Sequence, residues 1–142
     1  MYSTKLSVSI HILSVIAFIE MKPVTSEYIA SSINTNPALV RRLMSRLKKA
    51  KLIETSTKLG VMGLAKEAED ITLLDIFFAV EDQTDLFSIH GNTNHDCPIG
   101  AKIEITLKDI YDDIQNVMNQ KLAAVTLADI IKEFRTDKEV LL

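Results

Sequence analysis

Asn34-Thr35-Asn36-Pro37 cuts what would otherwise be one helical run, and this break sets the layout of residues 25 to 53. Proline inside a helix removes a backbone donor and clashes with the preceding turn, yet at the first helical position its fixed φ is already suitable. Asn36 ahead of it is a natural N-cap, so a second helix starts at Pro37. Before the break, Thr25 or Ser26 can cap a first helix in which Tyr28, Ile29, Ile33 and the small Ala30 recur at helical spacing and form a burying face.

The second helix carries the functional signal. At about 100° per residue, Val40, Leu43, Met44 and Leu47 share one side, whereas Ala38, Arg41, Arg42, Ser45, Arg46, Lys48 and Lys49 spread over the other. Between Arg41 and Lys58 there are seven Lys or Arg and a single acid, Glu54. Two helices, a short turn and a basic outer face on the second match a helix-turn-helix, whose second helix enters the DNA major groove. The plain alternative is a solvated amphipathic helix; turn, cap, charge and the following segment together favour the first reading.

Charge is partitioned along the chain. Residues 1–66 hold ten basic and three acidic side chains, and residues 67–142 hold six and sixteen, giving +7 and −10 behind a net charge of −3. The acidic half repels nucleic acid, so the basic half has the contact to itself. With 47% apolar and 25% charged residues the chain is globular rather than disordered. One cysteine makes no internal disulfide, which fits the cytoplasm. The apolar run from Leu6 to Ile19 is too short to span a membrane and lacks the basic leader of a signal peptide.

Taken in order, a first helix is expected from Ser3 or Thr4 to about Met21, ended by Lys22-Pro23, with a stripe wide enough to make it the central core helix; His11 lies within it as a packed or half-exposed side chain. After the basic helix, Leu52–Ser56, a turn over 58–63 and a return strand over 61–65 form a β-hairpin wing with Lys58 near its tip. Thr72 caps a short core helix over residues 73–80, and the polar stretch from Glu81 to Asp96 is a loop with freedom to move. A long helix is expected from Pro98, with Cys97 as its cap, to about Ala124, or roughly 39 Å. Ile103, Leu107, Ile110, Ile114 and Val117 repeat along it with heptad spacing, so its partner is the same helix of a second copy, the alternative being packing against the first helix. Thr126 caps a last helix over residues 127–134, with a frayed tail beyond.

No glycine-rich phosphate loop, nucleophile elbow, HExxH or CxxC pattern is present, so nothing argues for an enzyme. His90, His95, Asp96 and Cys97 form the one cluster with metal-binding chemistry, at a spacing that matches no standard zinc pattern; the reading is of no metal and no cofactor. Cys97 alone, at a helix N-terminus, is either a reactive sensor thiol or a small cap residue.

The LSVSIHIL helix, the TSEYIASSINTNPALVRRLMSRLKKAKLI block, a wing, LAKEAEDITLLDIFFAVE, a cysteine-bearing loop, a long helix and TLADIIKE resemble the Rrf-type winged-helix transcriptional regulators, the family of IscR, NsrR and CymR, and within it the YwnA-type branch. The resemblance covers nearly the whole chain. It implies a homodimer crossed through the long helix, with recognition helix and wing on DNA. Two departures stand out. Cluster-binding members carry three cysteines in the loop where this chain has only Cys97, and the wing is shorter and poorer in glycine. Where IscR reads bases with Glu-Gln, this chain has Arg41-Arg42.

The expectation is therefore a mainly α fold, a winged helix-turn-helix with a small hairpin and a long C-terminal dimerisation helix. It divides into a DNA-binding domain over 1–81, a loop over 82–97 and a dimerisation part over 98–142. The expected function is that of a homodimeric transcriptional regulator, a repressor rather than an activator, bound to double-stranded DNA. Arg41, Arg42 and Ser45 would reach base edges and Arg46, Lys49 and Lys58 phosphates, with Thr25, Ser26, Thr35, Asn36, Pro37 and Ala38 completing the surface. The alternatives are an interaction module that kept the fold without DNA binding and a metal- or cluster-dependent sensor.

Overall fold

The computed structural model describes residues 3–19, 24–56 and 60–141. Helix α1, Lys5–Phe18, is the central post. It buries Ile12, Leu13, Ile16 and Ala17 and is covered by the helices that follow. It ends earlier than expected, with Ile19 as C-cap donating to the Val15 carbonyl at 3.1 Å; the proposed stop at Lys22-Pro23 lies outside the described residues. His11 is exposed, its Nε2 3.1 Å from Ser32 Oγ.

Helices α2, Ser26–Ile33, and α3, Pro37–Lys49, form around the polar break. Thr25 is the N-cap of α2, accepting the Tyr28 N–H at 3.1 Å. Asn34 then takes the left-handed conformation at φ 61°, which asparagine tolerates, and the Thr35 N–H reaches back to the Ala30 carbonyl at 2.9 Å to close the end of α2. Asn36 Oδ1 accepts the Ala38 N–H at 2.7 Å, and Pro37 occupies the first turn of α3. Ile29 and Ala30 are buried, but Tyr28, expected on the same face, is 53% exposed. It sits roughly 150° around the helix from the centre of the Ile29, Ala30 and Ile33 face.

The hairpin pairs β1, Ile53–Ser56, with β2, Gly60–Leu64, antiparallel, one residue earlier on the return than expected. A bulge falls between Glu54 and Thr55, and opposite it Gly63 has φ 156°, backbone that a side chain would strain although space around it is open. Lys58 lies outside the described residues. A 3-10 turn at Ala68–Asp70, not expected, leads into α4, Leu73–Val80.

Helix α5 spans Ile103–Ala124 and α6 spans Leu127–Leu141. Both depart from expectation at their ends. The long helix does not begin at Pro98: residues 97–102 form successive turns, with the Ala101 N–H on the Cys97 carbonyl at 2.9 Å and the Lys102 N–H on that of Ile99 at 3.0 Å. The cause is the close fold of the loop onto Gly100, whose carbonyl accepts from the Thr93 hydroxyl and whose missing Cβ would stand 2.2 Å from the Asn94 carbonyl oxygen. At the other end the chain beyond Phe134, expected to fray, continues as α6.

Two capping boxes tie the ends of the chain together. Thr72 with Asp75, and Thr126 with Asp129, each exchange side-chain and backbone hydrogen bonds at 2.9–3.2 Å. The two caps lie back to back in an antiparallel bridge, Leu73 N–H to the Val125 carbonyl at 2.9 Å and Leu127 N–H to that of Ile71 at 2.8 Å. Leu127 and Ile131 of α6 are thereby buried in the same core as Ile12, Leu43, Leu47, Ile71 and Ile76. Helix α5, in contrast, buries none of its residues and packs on α4 rather than lying along α1. No helix among the described residues is long and apolar enough to cross a membrane.

Ser9 is fully buried on α1, and its hydroxyl has no hydrogen-bond partner among the described residues. A desolvated, unpaired hydroxyl costs free energy that a methyl group does not. Ser9→Ala is therefore expected to raise unfolding stability by about 1 kcal/mol in urea titration; a loss of stability would show that the hydroxyl is bonded in solution.

Candidate nucleic-acid interface

On α3 the buried Val40, Leu43 and Leu47 define the inner side, which turns Ala38, Arg41, Arg42, Ser45, Lys48 and Lys49 outward, all exposed. The asparagine cap and Pro37 place Ala38, with only a methyl group to obstruct approach, at the outer edge of the first turn. Thr25 and Asn36 are exposed, and Ser26, Thr35 and Pro37 half-buried, around the start of α2 and the turn. Two cations of the sequence-predicted set, Arg41 and Arg46, make side-chain contacts within the chain, and Lys58 lies outside the described residues.

Arg41 is engaged only loosely, its Nη1 3.5 Å from Glu27 Oε1 across an exposed gap. Arg46 is the larger departure. It sits at the flank of the arc, about 90° from its centre, and turns toward the end of α4, where Nη1 donates to the Val80 carbonyl and to Asp82 Oδ1, both at 2.8 Å. Asp82 also accepts from Lys5 Nζ at 2.7 Å, and these two cations, Lys5 foremost, hold its carboxyl below the usual range. Sequence reasoning misses this cluster because its members are 36 and 77 positions apart; only the angular position of Arg46 hints at it.

The five expected seam positions on α5 divide by exposure. Ile103 and Leu107 are half-buried, next to Tyr111, Gln115, Met118 and Leu122, which are half-buried on the α4 and loop side. Ile110, Ile114 and Val117 are 48%, 40% and 66% exposed, an aliphatic row on a 22-residue helix about 32 Å from end to end.

Cys97 is exposed and does not cap the long helix, contrary to expectation. Its thiol nonetheless meets backbone N–H groups, of Gly100 first and Ile99 second, which hold its pKa below the ordinary value. Alkylation with iodoacetamide should accordingly follow a pH midpoint below that of Cys97 in the unfolded chain; a midpoint at or above the unfolded one would contradict the loop geometry. His90 and His95 are exposed, and among the described residues no three of His, Cys, Asp and Glu come together to hold a metal, so the His90, His95, Cys97 alternative is not assembled.

A helix-turn-helix with a hairpin directly after its second helix and a basic outer face defines a winged-helix DNA-binding protein. The chain belongs to the Rrf2 family, described as iron-dependent transcriptional regulators, whose model matches residues 2–133. It is 40% identical over 131 residues, 92% of this chain and 97% of the other, to YwnA of Bacillus subtilis, which carries a provisional assignment as an HTH-type transcriptional regulator. A crystal structure of a protein provisionally described as DNA-binding superposes with a TM-score of 0.73 at 36% identity, covering 89% of this chain and 98% of that one. CymR of B. subtilis, the global cysteine regulator, superposes at 0.68 with 22% identity, covering 93% and 96%, and T. potens IscR at 0.69 with 22% identity, covering 94% and 87%. These last two share the fold.

The chain is a DNA-binding transcriptional regulator of this family. The family description names iron, but the residues present do not fit an iron-sulfur cluster held by one chain: a cluster needs several thiolates, and Cys97 is the single cysteine, without a convergent histidine or carboxylate set among the described residues.

Proposed function

We propose that this protein acts as a homodimer that represses transcription from a two-fold symmetric operator. Two α5 helices pair through Ile110, Ile114 and Val117, with Ile103 and Leu107 at the border, and hold two copies of α3 for successive major grooves. Arg41, Arg42 and Ser45 read base edges. Lys49, the helix starts at Thr25, Ser26, Asn36, Pro37 and Ala38 with Thr35, and Lys58 follow the phosphates. The observation that carries the reading is the open aliphatic row on α5 in the same chain as a basic outer face on α3. Repression needs only occupancy of a promoter, whereas activation needs a further contact with polymerase. Selection from random duplex DNA should enrich a palindrome with half-sites about one helical turn or a multiple apart, and in vitro transcription from a promoter containing it should fall with added protein. No enriched sequence would favour an interaction module without DNA binding, and a rise in transcript would favour activation.

A redox response through Cys97 is the second part of the proposal, favoured by its exposure and depressed pKa. Peroxide attack by the thiolate gives a sulfenic acid with loss of hydroxide, adding polarity just before α5. Operator affinity should change after mild peroxide in the wild type and not in Cys97→Ala; indifference of the wild type would leave Cys97 as a turn residue.

A further inference from the structure

Residues 80–86 fasten four helices within one short segment. The Val80 carbonyl, one of those left without a helical partner at the end of α4, accepts from Arg46 of α3. Glu81 Oε1 accepts the Leu6 N–H at 3.1 Å, supplying the first turn of α1 with the acceptor that its N-cap Thr4 does not provide. Asp82 binds Arg46 and Lys5. Two residues on, Gln115 of α5 grips the chain from both sides, Nε2 donating to the Thr84 carbonyl at 2.9 Å and Oε1 accepting the Leu86 N–H at 2.8 Å. The adjoining Phe87 ring packs on Tyr111 of α5 with centroids 5.1 Å apart. The anchors at Asp82 and Thr84 are separated by at most about 7 Å of chain, so there is little slack between α3 and α5.

Resting on the homodimeric DNA-binding reading, we propose that Arg46 and Asp82 are positioning residues for operator recognition: their pair, through the strap held by Gln115, fixes the angle of α3 relative to α5, and Arg46 does not contact phosphate. A cation on a recognition helix is ordinarily a phosphate contact. Here both of its bonds are made to the strap, and the acid that receives one of them is also saturated by Lys5. In a symmetric dimer the angle between α3 and α5 sets the separation of the two recognition helices, so loosening it affects a spaced palindrome far more than random DNA.

The test measures anisotropy of a labelled operator duplex and a scrambled duplex against salt for wild type, Arg46→Gln, Asp82→Asn, the double variant and Lys49→Gln. Arg46→Gln and Asp82→Asn should each weaken operator binding about 3- to 30-fold, with the double variant no worse than the weaker single and the salt slope of the operator unchanged. Lys49→Gln, which removes a cation from a phosphate, should weaken both duplexes and flatten the log–log slope by about 0.9 for each phosphate no longer neutralised. A slope reduced by the same amount in Arg46→Gln, tighter binding of both duplexes by Asp82→Asn, or additive effects in the double variant would each overturn the proposal. The pair is exposed and contributes little to folding, so the variants should melt near wild type. Arg46→Lys, which keeps the charge but not the two directed bonds, is a second variant expected to bind the operator more weakly at an unchanged slope. Wild-type preference for operator over scrambled duplex tests the sequence-specific DNA-binding reading by itself, and sedimentation of the free protein tests the homodimer.

Discussion

Alanine at both Ile110 and Ile114 is expected to convert the protein from dimer to monomer at micromolar concentration. Each side chain is already partly covered within its own chain, leaving 48% and 40% of its surface to be covered by a second copy. Truncation of a packed isoleucine costs about 2–5 kcal/mol, and in a symmetric interface every substitution occurs twice. Even at half the lower figure per side chain the penalty is about 4 kcal/mol, or roughly a thousandfold in the dimer dissociation constant. Ile105 is the internal control. It is 70% exposed but faces roughly 160° away from the row, so Ile105→Ala should leave the dimer intact. Sedimentation equilibrium decides: a double variant that stays dimeric, or an Ile105→Ala that dissociates equally, would place the interface elsewhere.

Replacing Arg41 and Arg42 together is expected to abolish discrimination between operator and random DNA. A guanidinium bidentate to guanine is worth about 1–3 kcal/mol of discrimination, and a dimer presents both residues twice. Arg41 is freed at little cost, because its contact to Glu27 is long and exposed. Arg41→Ala/Arg42→Ala should therefore bind the operator at least about a hundredfold more weakly while keeping most of its affinity for scrambled duplex at low salt. Equal weakening on both duplexes would assign the two arginines to phosphates. Helix α3 should remain folded in this variant, since Val40, Leu43 and Leu47 carry its packing.

Short-range signals in the chain are readable, and for a physical reason. Thr25, Asn36, Thr72 and Thr126 all cap helices as expected, because a cap needs only a side chain and the N–H two or three residues on. The two sides of α3 and the hairpin after it follow from periodicity and turn residues in the same way. What is not readable depends on interactions between distant segments. Asp96-Cys97-Pro98 has the local signature of a helix start, and it is Gly100 folded against Asn94 that delays α5 to Ile103. Helix α6 buries Leu127 and Ile131 beside α1, an arrangement set by the bridge between Thr72 and Thr126 rather than by anything in residues 127–141 alone. Arg46 reads as one more cation on a basic helix until Asp82, 36 residues away, is placed beside it. Tyr28, in contrast, is legible but assigned to the wrong face, since its angle from Ile29 and Ala30 already points it outward.

The most direct measurement is the stoichiometry of the protein on its own selected site, by sedimentation velocity with a fluorescent duplex. Two copies should bind each duplex as a preformed unit, a duplex carrying one half-site should bind far more weakly, and Ile110→Ala/Ile114→Ala should fail on the full site while retaining weak binding. One chain per duplex, or equal affinity for one half-site and two, would contradict a recognition surface organised by the pairing of α5.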